Sequence, residues 1–225
     1  MTLDWPVLLT HILHDVRSLA RKGLSNAQLL ERELGENLAP DVQGRLAAIL
    51  ASQHDLNRLM ASLGKLSEAI SFDRESLRED CLDIDTILLG AKLEQKSALA
   101  EAKAEFLVNA MPECSVPSKL QAVFSELIRN AVQFRAARPL VIVIAADQPS
   151  RDWLRVQVSD NGRGWDPAHT PKLFAPFQRL HTDKSGFGLG LFIARAIVEN
   201  ACGRISCSTD PDGAQFVVEI PLAVA

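Results

Sequence analysis

The sequence predicts an α+β protein in two parts, a helical hairpin followed by an α/β sandwich with helices on one face of a sheet. Apolar residues follow a 4-3 spacing up to Ile70, and strand-like segments then alternate with helical ones. A sustained 3.5-residue repeat indicates helices packed lengthwise, whereas β-branched or alternating runs indicate strands. The expected layout is a hairpin over residues 1–70, a charged linker over 71–81 and a second domain over 82–225.

Composition narrows the class of protein. The chain has 225 residues, of which 47% are hydrophobic and 23% charged, with a net charge of −4. This balance suits two packed cores and gives no basic face for nucleic acid. No apolar run reaches the ~18 residues of a membrane span, and no signal peptide leads the sequence. The four cysteines lack metal-type spacing. We therefore expect a cytoplasmic protein with reduced thiols. A membrane sensor, if one acts with it, would lie on a separate protein or on residues that precede this sequence in the natural protein.

Each predicted helix of the hairpin carries an apolar seam. The first seam comprises Leu9, Leu13, Val16, Ala20, Gly23, Ala27, Leu30 and Leu34. The second comprises Val42, Leu46, Ile49, Leu56, Met60, Leu63 and Ile70, interrupted by Gln53 and Ser67. Residues 35–40 are expected to form the loop, with Asp41 as N-cap of the second helix. One hairpin covers only part of such a seam, so we expect a homodimeric four-helix bundle. Docking of the hairpin on its own second part is the alternative.

The second part mixes predicted helices with predicted strands. Helices are expected over residues 84–104, 117–134 and 191–200, and strands over 141–145, 153–159, 204–208 and 215–220. Two glycine clusters lie among them, at residues 160–164 after a strand and at 185–190 before a helix. Glycines allow tight turns and close approach to a ligand, and a helix N-terminus offers free N–H groups to a polyphosphate.

Three further motifs accompany the glycine clusters in a fixed order. Glu126 and Asn130 share one face of a helix, residues 174–179 read FAPFQR between the clusters, and GAQF with EIP follow at 213–221. This series resembles the ATP-binding domain of sensor histidine kinases, a group that also includes type II topoisomerases, mismatch-repair ATPases and large heat-shock chaperones. The resemblance spans roughly residues 82–222 and implies the same α/β sandwich.

The resemblance implies a role for each motif in binding ATP and Mg²⁺. Asn130 is expected to ligate Mg²⁺, and Asp160 to accept a hydrogen bond from the adenine amino group. The pocket floor and the lid border are expected to involve Gly162, Gly164, Gly186, Gly188, Leu189 and Gly190. Residues 169–184 would form the lid, anchored by Phe174 and Phe177. Arg179 or Lys184 could meet the γ-phosphate, an ordinary solvated charge being the alternative.

A histidine on the first helix is the expected phosphoacceptor. His11 and His14 both lie off the apolar seam, and the run from His14 and Asp15 to Leu19 resembles the phosphoacceptor box of the same kinases. A neighbouring carboxylate can hold one ring nitrogen protonated and leave the other free to attack phosphorus. The sequence departs from the family at Leu19, where proline is usual, and at Cys202, where glycine is usual.

The sequence therefore predicts a protein-histidine kinase that phosphorylates His14 from ATP and passes the phosphate to an aspartate of a response regulator. The regulator would dock on the hairpin near His14, beside Arg17 and Arg21. Two alternatives stay open. One is a phosphotransfer protein whose ATP domain is only a scaffold, and the other is an ATP-hydrolysing switch that uses Glu126 as general base.

Overall fold

The computed structural model describes residues 5–34, 39–70, 80–180 and 186–222, and for residues 5–15, 17, 33 and 70 it describes the backbone alone. The chain divides into two compact units, Met1–Ser71 and Phe72–Ala225. The predicted linker lies outside the described residues up to position 79. The linker prediction is wrong at Cys81, which begins a strand and pairs with Pro117.

Two long helices form the first unit, α1 (Trp5–Leu34) and α2 (Pro40–Ile70). Gly23 of α1 lies directly against the Gln53 side chain of α2, since a Cβ added at Gly23 would stand 2.9 Å from Gln53 Oε1. Positions 23 and 53 lie at nearly equal distances along the chain from the connection at residues 35–39, as in an antiparallel pair. The predicted helical hairpin is confirmed, and a small residue lets its helices approach closely.

Helix α2 begins two residues earlier than an N-cap at Asp41 predicts. The Ala39 carbonyl accepts hydrogen bonds from the N–H groups of Val42 at 2.9 Å and Gln43 at 3.0 Å, which makes Ala39 the N-cap. Pro40 takes the first helical position, where its fixed φ suits a helix. A backbone N–H at this position has no partner within the helix, so proline loses no hydrogen bond there. The prediction of Asp41 as N-cap is therefore wrong. Its carboxylate lies in the first turn, where the helix dipole favours negative charge.

One chain covers only part of the hairpin's apolar seam. Ala20, Ala27, Leu46 and Met60 are buried, whereas four predicted seam residues are 40–51% exposed: Leu30, Leu34, Val42 and Ile49. The carboxamide oxygen of Gln53 is buried and has no hydrogen-bond partner among the described residues. The uncovered seam is surface that a second helical pair can bury. The four-helix bundle stays a prediction.

The second unit is built on a five-stranded sheet and a two-stranded one. Its elements in chain order are β1 (Cys81–Asp83), α3 (Ile84–Glu94), α4 (Lys96–Glu101), β2 (Glu105–Val108), β3 (Ser115–Pro117), α5 (Leu120–Gln133), β4 (Val141–Ser150), β5 (Trp153–Asp160), a 3-10 helix (Pro167–Lys172), α6 (Gly190–Asn200), β6 (Arg204–Asp210) and β7 (Gly213–Pro221). The larger sheet has the order β2-β4-β5-β7-β6, and β1 pairs with β3. Only the β2–β4 pair of the described strands is parallel.

The larger sheet buries one face beneath helices. Alternate residues of β4, β5 and β7 are buried, as expected for strands with one covered side. The core joins these strands to α3, α5 and α6 through buried side chains such as Ile87, Phe124, Val198, Ile144, Val156 and Val218. The predicted α/β sandwich, one sheet with helices on one face, is confirmed.

The helices and strands of this unit differ from the prediction in several places. The helix expected over 84–104 is two helices, because the backbone departs from helical geometry at Gln95, whose side-chain amide donates to Ser125 Oγ at 2.9 Å. Pro117 lies in β3, and the helix expected from there begins at Leu120. Strands β1, β2 and β3 are absent from the prediction, since runs of three or four residues carry too little alternation to recognise.

Helix α6 ends in a glycine-type turn that a cysteine occupies. The Cys202 N–H donates to the Glu199 carbonyl and the Gly203 N–H to the Val198 carbonyl, both at 2.9 Å, which is the Schellman pattern. Cys202 therefore takes a φ of 57°, a left-handed conformation that side chains with a Cβ disfavour.

We expect Cys202→Gly to stabilise the second unit by about 0.5–1 kcal/mol, since the relief of left-handed strain exceeds the added chain entropy. Urea unfolding followed by circular dichroism measures the change. Cys202→Ala removes the thiol but keeps the Cβ, so it should leave stability close to that of the unmodified chain. An equal gain from both variants would show that the thiol, and not the backbone angle, is the source.

Candidate functional site

The first glycine cluster wraps around the C-terminal end of α5. The Gly162 N–H donates to Asp160 Oδ1 at 2.8 Å, and the Arg163 N–H donates to the Phe134 carbonyl at 3.0 Å. A Cβ at Gly162 would stand 2.6 Å from Asp160 Oδ1 and 2.9 Å from the Phe134 carbonyl oxygen. Only glycine fits between these groups, so the cluster holds the Asp160 carboxylate at the end of β5.

Side chains that the sequence did not single out brace this turn. Asn161 accepts from the Val141 N–H through Oδ1 at 2.8 Å, while Arg138 Nε donates to the Asn161 carbonyl at 2.8 Å. Gly164 has a φ of 60°, and a Cβ there would stand 2.4 Å from Thr209 Oγ1. Arg138 and Thr209 carry no local sequence signal for this role, because each reaches the turn only through the folded sheet.

The Asp160 carboxyl group is partly withdrawn from water. Burial raises the pKa of Asp160 above its ordinary value, and the hydrogen bond from the Gly162 N–H lowers it in part. The raised pKa means that the fold favours the protonated form. The stability that this group contributes is therefore fully present below its unfolded pKa of about 4 and is lost as pH rises through the folded value.

We expect Asp160→Asn to raise the free energy of unfolding of the nucleotide-free protein at neutral pH. An asparagine keeps an oxygen to accept from the Gly162 N–H but carries no charge to desolvate. The gain should shrink as pH falls, because the native carboxyl group then becomes protonated as well. Urea unfolding at a series of pH values measures it, and Asp152→Asn, at an exposed turn carboxylate, is the matched control. A gain that does not depend on pH would contradict the assignment.

Helix α5 presents a polar face between the two glycine clusters. Glu126, Asn130 and Gln133 lie at spacings of four and three residues, so they share this face. Asn130 Nδ2 is buried and has no hydrogen-bond partner among the described residues. A buried amide without a partner costs free energy, so this one is placed to contact a ligand or a bound water. Rotating the amide by 180° would offer Oδ1 at the same point, as a cation ligand.

The second glycine cluster closes against the segment that follows the 3-10 helix. The Phe177 N–H donates to the Gly188 carbonyl at 2.9 Å. Gly188 has a φ of 68°, and a Cβ there would stand 2.3 Å from the Gln178 carbonyl oxygen. Leu189 is buried and precedes Gly190, the first residue of α6. The second cluster therefore leads directly into the N-terminus of α6.

Helix α5 contacts both clusters. At its C-terminal end the Phe134 carbonyl receives the first cluster, and a Cβ at Gly186 of the second would stand 4.0 Å from Gln133 Nε2. One turn before Asn130, Glu126 lies against Gly190 so closely that a Cβ there would meet Glu126 Oε1 at 1.7 Å. The two clusters and the polar face of α5 thus belong to one site.

The segment predicted as a lid is held at one phenylalanine. Residues 167–172 form the 3-10 helix, capped by Asp166, whose carboxylate accepts from the Ala168 N–H at 2.9 Å. Phe174 is buried against the core, as expected for an anchor. Phe177 is 61% exposed, so its prediction as an anchor is wrong; its left-handed φ of 61° turns the chain toward Gly188. Arg179 is exposed, and its role stays a prediction. Residues 181–185, including Lys184, lie outside the described residues.

The expected phosphoacceptor belongs to the other unit. His14 and Asp15 lie within α1, where the structure describes only the backbone. His11 also lies on this helix, whereas His54 and His169 are exposed elsewhere. The assignment of His14 therefore stays a prediction.

The residues of the site fit Mg²⁺ and a nucleotide. Mg²⁺ keeps several waters and is held by one or two protein groups together with phosphate oxygens, a demand that one amide oxygen from Asn130 can meet. The glycine cradles leave room that any Cβ would fill, and the N-terminus of α6 favours an anion.

Within the described ranges, no helix is long and apolar enough to cross a membrane.

Comparison with known proteins is consistent with this geometry. Residues 115–224 match the sequence profile of the histidine kinase-, DNA gyrase B- and HSP90-like ATPases. The phytochrome-like protein Cph1 of Synechocystis is 28% identical over 213 residues, which cover 93% of this chain and 28% of that protein. The sensor histidine kinase RcsC of Escherichia coli is 36% identical over 111 residues, covering 47% of this chain and 11% of that protein. The chain thus spans under a third of these relatives.

Two solved structures match this chain over nearly its whole length. ShkA in complex with AMPPNP matches with a TM-score of 0.75 at 23% identity, over 98% of this chain and 46% of that one. The histidine kinase AdeS of Acinetobacter baumannii matches with a TM-score of 0.64 at 21% identity, over 94% of this chain and 98% of that one. Both matches include the helical hairpin and the sandwich in the same order along the chain.

Proposed function

We propose that this chain is a protein-histidine kinase of a two-component system. Residues 115–224 form a domain of the histidine kinase-, DNA gyrase B- and HSP90-like ATPase family, and the chain as a whole resembles a sensor histidine kinase core. It autophosphorylates His14 from ATP and passes the phosphate to an aspartate of a response regulator.

The observation that carries the proposal is the unpartnered amide of Asn130, on the face of α5 that runs between the two glycine clusters. A scaffold that had lost its ligand would gain stability by replacing a buried polar group that has no partner. The retained amide therefore favours a site in use over the degenerate-domain alternative.

Different residues of the chain bind different parts of MgATP. Asp160 accepts from the adenine amino group, and Gly162 with Gly164 lets the backbone approach the base. Asn130 holds Mg²⁺, and the second cluster with the N-terminus of α6 faces the phosphates. When bound, MgATP supplies the transferable phosphoryl group, and its Mg²⁺ offsets the negative charge of the phosphate oxygens. ShkA, which shares this fold, was solved in complex with AMPPNP, and this supports a nucleotide as the ligand of the present chain.

His14 performs the transfer as a nucleophile. One ring nitrogen is held protonated by the Asp15 carboxylate, and the other forms a bond to the γ-phosphorus as the bond to the ADP oxygen breaks. The resulting phosphohistidine gives its phosphoryl group to an aspartate oxygen of the response regulator. Arg17 and Arg21 near His14 are the expected docking charges for this acidic partner.

The uncovered seam of the hairpin supports a homodimer. Its half-exposed residues on both helices give a second hairpin an apolar stripe to pack against, and the unpartnered Gln53 oxygen can find a donor there. We propose the cytoplasm as the setting, where a separate sensor protein could supply the input signal.

Incubation with γ-labelled ATP and Mg²⁺ tests the proposal. We expect the protein to carry a label that survives at neutral pH and is lost in acid. The label should be absent from His14→Gln and present on His11→Gln. Phosphohistidine is acid-labile, so treatment at low pH separates it from phosphoserine and phosphothreonine. Label that persists in His14→Gln, or an unlabelled chain that nevertheless binds MgATP, would refute the assignment of the acceptor.

A further inference from the structure

An ion pair within α5 engages both oxygens of the Glu126 carboxylate. Arg129 Nε donates to Glu126 Oε2 at 3.0 Å, and Arg129 Nη2 donates to Oε1 at 2.5 Å, which makes the pair bidentate. The Glu126 side chain is 18% exposed and that of Arg129 42%. Both carboxylate oxygens therefore take charge-assisted bonds in a partly shielded place.

The pair stands directly over the start of α6. A Cβ at Gly190 would lie 1.7 Å from Glu126 Oε1 and 2.8 Å from Arg129 Nη2. This helix end is where the proposed function brings the phosphates. A free carboxylate at this point, one turn from Asn130, would be within reach of a water beside the γ-phosphate and could act as its base.

We propose that Arg129 is a positioning residue that restrains Glu126 and suppresses hydrolysis of bound ATP, so that the phosphoryl group is kept for histidine. This inference rests on the proposed function. In the suppressed reaction a water oxygen forms a bond to the γ-phosphorus, the bond to the ADP oxygen breaks, and Glu126 accepts the water proton. With both oxygens bonded to the guanidinium, the carboxylate is held against Arg129 and is not free to accept a water proton.

Phosphate release by the full chain in a His14→Gln background tests the proposal, because no histidine then competes for the phosphoryl group. We expect Arg129→Met to raise this release by about tenfold or more, since general-base catalysis contributes ~100-fold or more. Adding Glu126→Gln should cancel the gain, and Arg129→Lys, with a single ammonium, should give an intermediate rate. Arg58→Met removes the i,i+3 Arg58–Asp55 pair of α2 and is the matched control.

Calorimetric titration with a non-hydrolysable ATP analogue and Mg²⁺ provides the readout that does not depend on turnover. We expect its affinity for Arg129→Met to stay within about threefold of that for the unmodified chain. Unchanged phosphate release with intact binding would overturn the role of Arg129 and leave the proposed function standing. A loss of affinity above about tenfold would instead make Arg129 a nucleotide contact. An unmodified chain that binds no analogue would refute the proposed function itself.

Discussion

Replacing Asn130 with alanine is expected to weaken MgATP binding by about 10–100-fold while raising the stability of the nucleotide-free protein. Hydrogen bonds and contacts to charged groups are worth about 1.5–3 kcal/mol, which sets the loss of affinity. The amide is buried without a partner, so its removal relieves a desolvation cost of about 1–3 kcal/mol in the unliganded state, offset in part by the small cavity that remains.

Calorimetry and urea unfolding measure these two effects on the same samples. Asn109→Ala, at an exposed asparagine, is the matched control and should change neither quantity appreciably. A variant that loses stability together with affinity would mean that Asn130 supports the fold. Its loss of binding would then say nothing about a cation site.

Gly213→Ala is expected to destabilise the second unit by about 3 kcal/mol, on the order of 10 °C in Tm. Gly213 begins β7 with a φ of 153°, and a Cβ there would stand 1.8 Å from the Asp160 carbonyl oxygen and 2.9 Å from Asn161 Cα. Both contacts are backbone atoms, so neither side can yield by a rotamer change. The turn that carries the Asp160 carboxylate must shift, and MgATP affinity should fall with stability.

Thermal unfolding followed by circular dichroism checks this expectation. Gly44→Ala is the control, because among the described residues no atom beyond its chain neighbours and the nearby backbone of its own helix stands within 4 Å of a Cβ at this exposed position. It should stabilise the hairpin by about 0.5–1 kcal/mol, as expected when glycine leaves a helix interior. A Gly213→Ala variant as stable as the unmodified chain would contradict the close packing of β7 on the Asp160 turn.

Local pattern predicted the fold class because both periodicities are long. The seams of α1 and α2 run over about eight turns, and the alternation in β4, β5 and β7 reflects a sheet with one buried face. Short or interrupted elements, such as β2 and the break at Gln95, could not be predicted from the local sequence. Their conformation is set by pairing with β4 and by the hydrogen bond to Ser125 on α5.

The site was predictable where a residue type has few uses, and hidden where the role arises from distant packing. Glycines in two clusters and an asparagine on a helix face pointed to a nucleotide, and the structure brings these groups around α5. The resemblance implied that the Phe177 side chain anchors the lid, whereas that side chain is exposed and its backbone N–H makes the contact with Gly188. The Glu126–Arg129 pair could be suspected from its i,i+3 spacing, but its position over Gly190 could not.

Titration of the full chain with ATP, with and without Mg²⁺, and with GTP tests the central claim most directly. A single site around α5 predicts that one ATP binds per chain and that Mg²⁺ strengthens binding. It also predicts that GTP binds about 10–100-fold more weakly, because the Asp160 carboxylate has no amino group to accept from at that position. Equal affinity for both nucleotides, or affinity indifferent to Mg²⁺, would contradict the account.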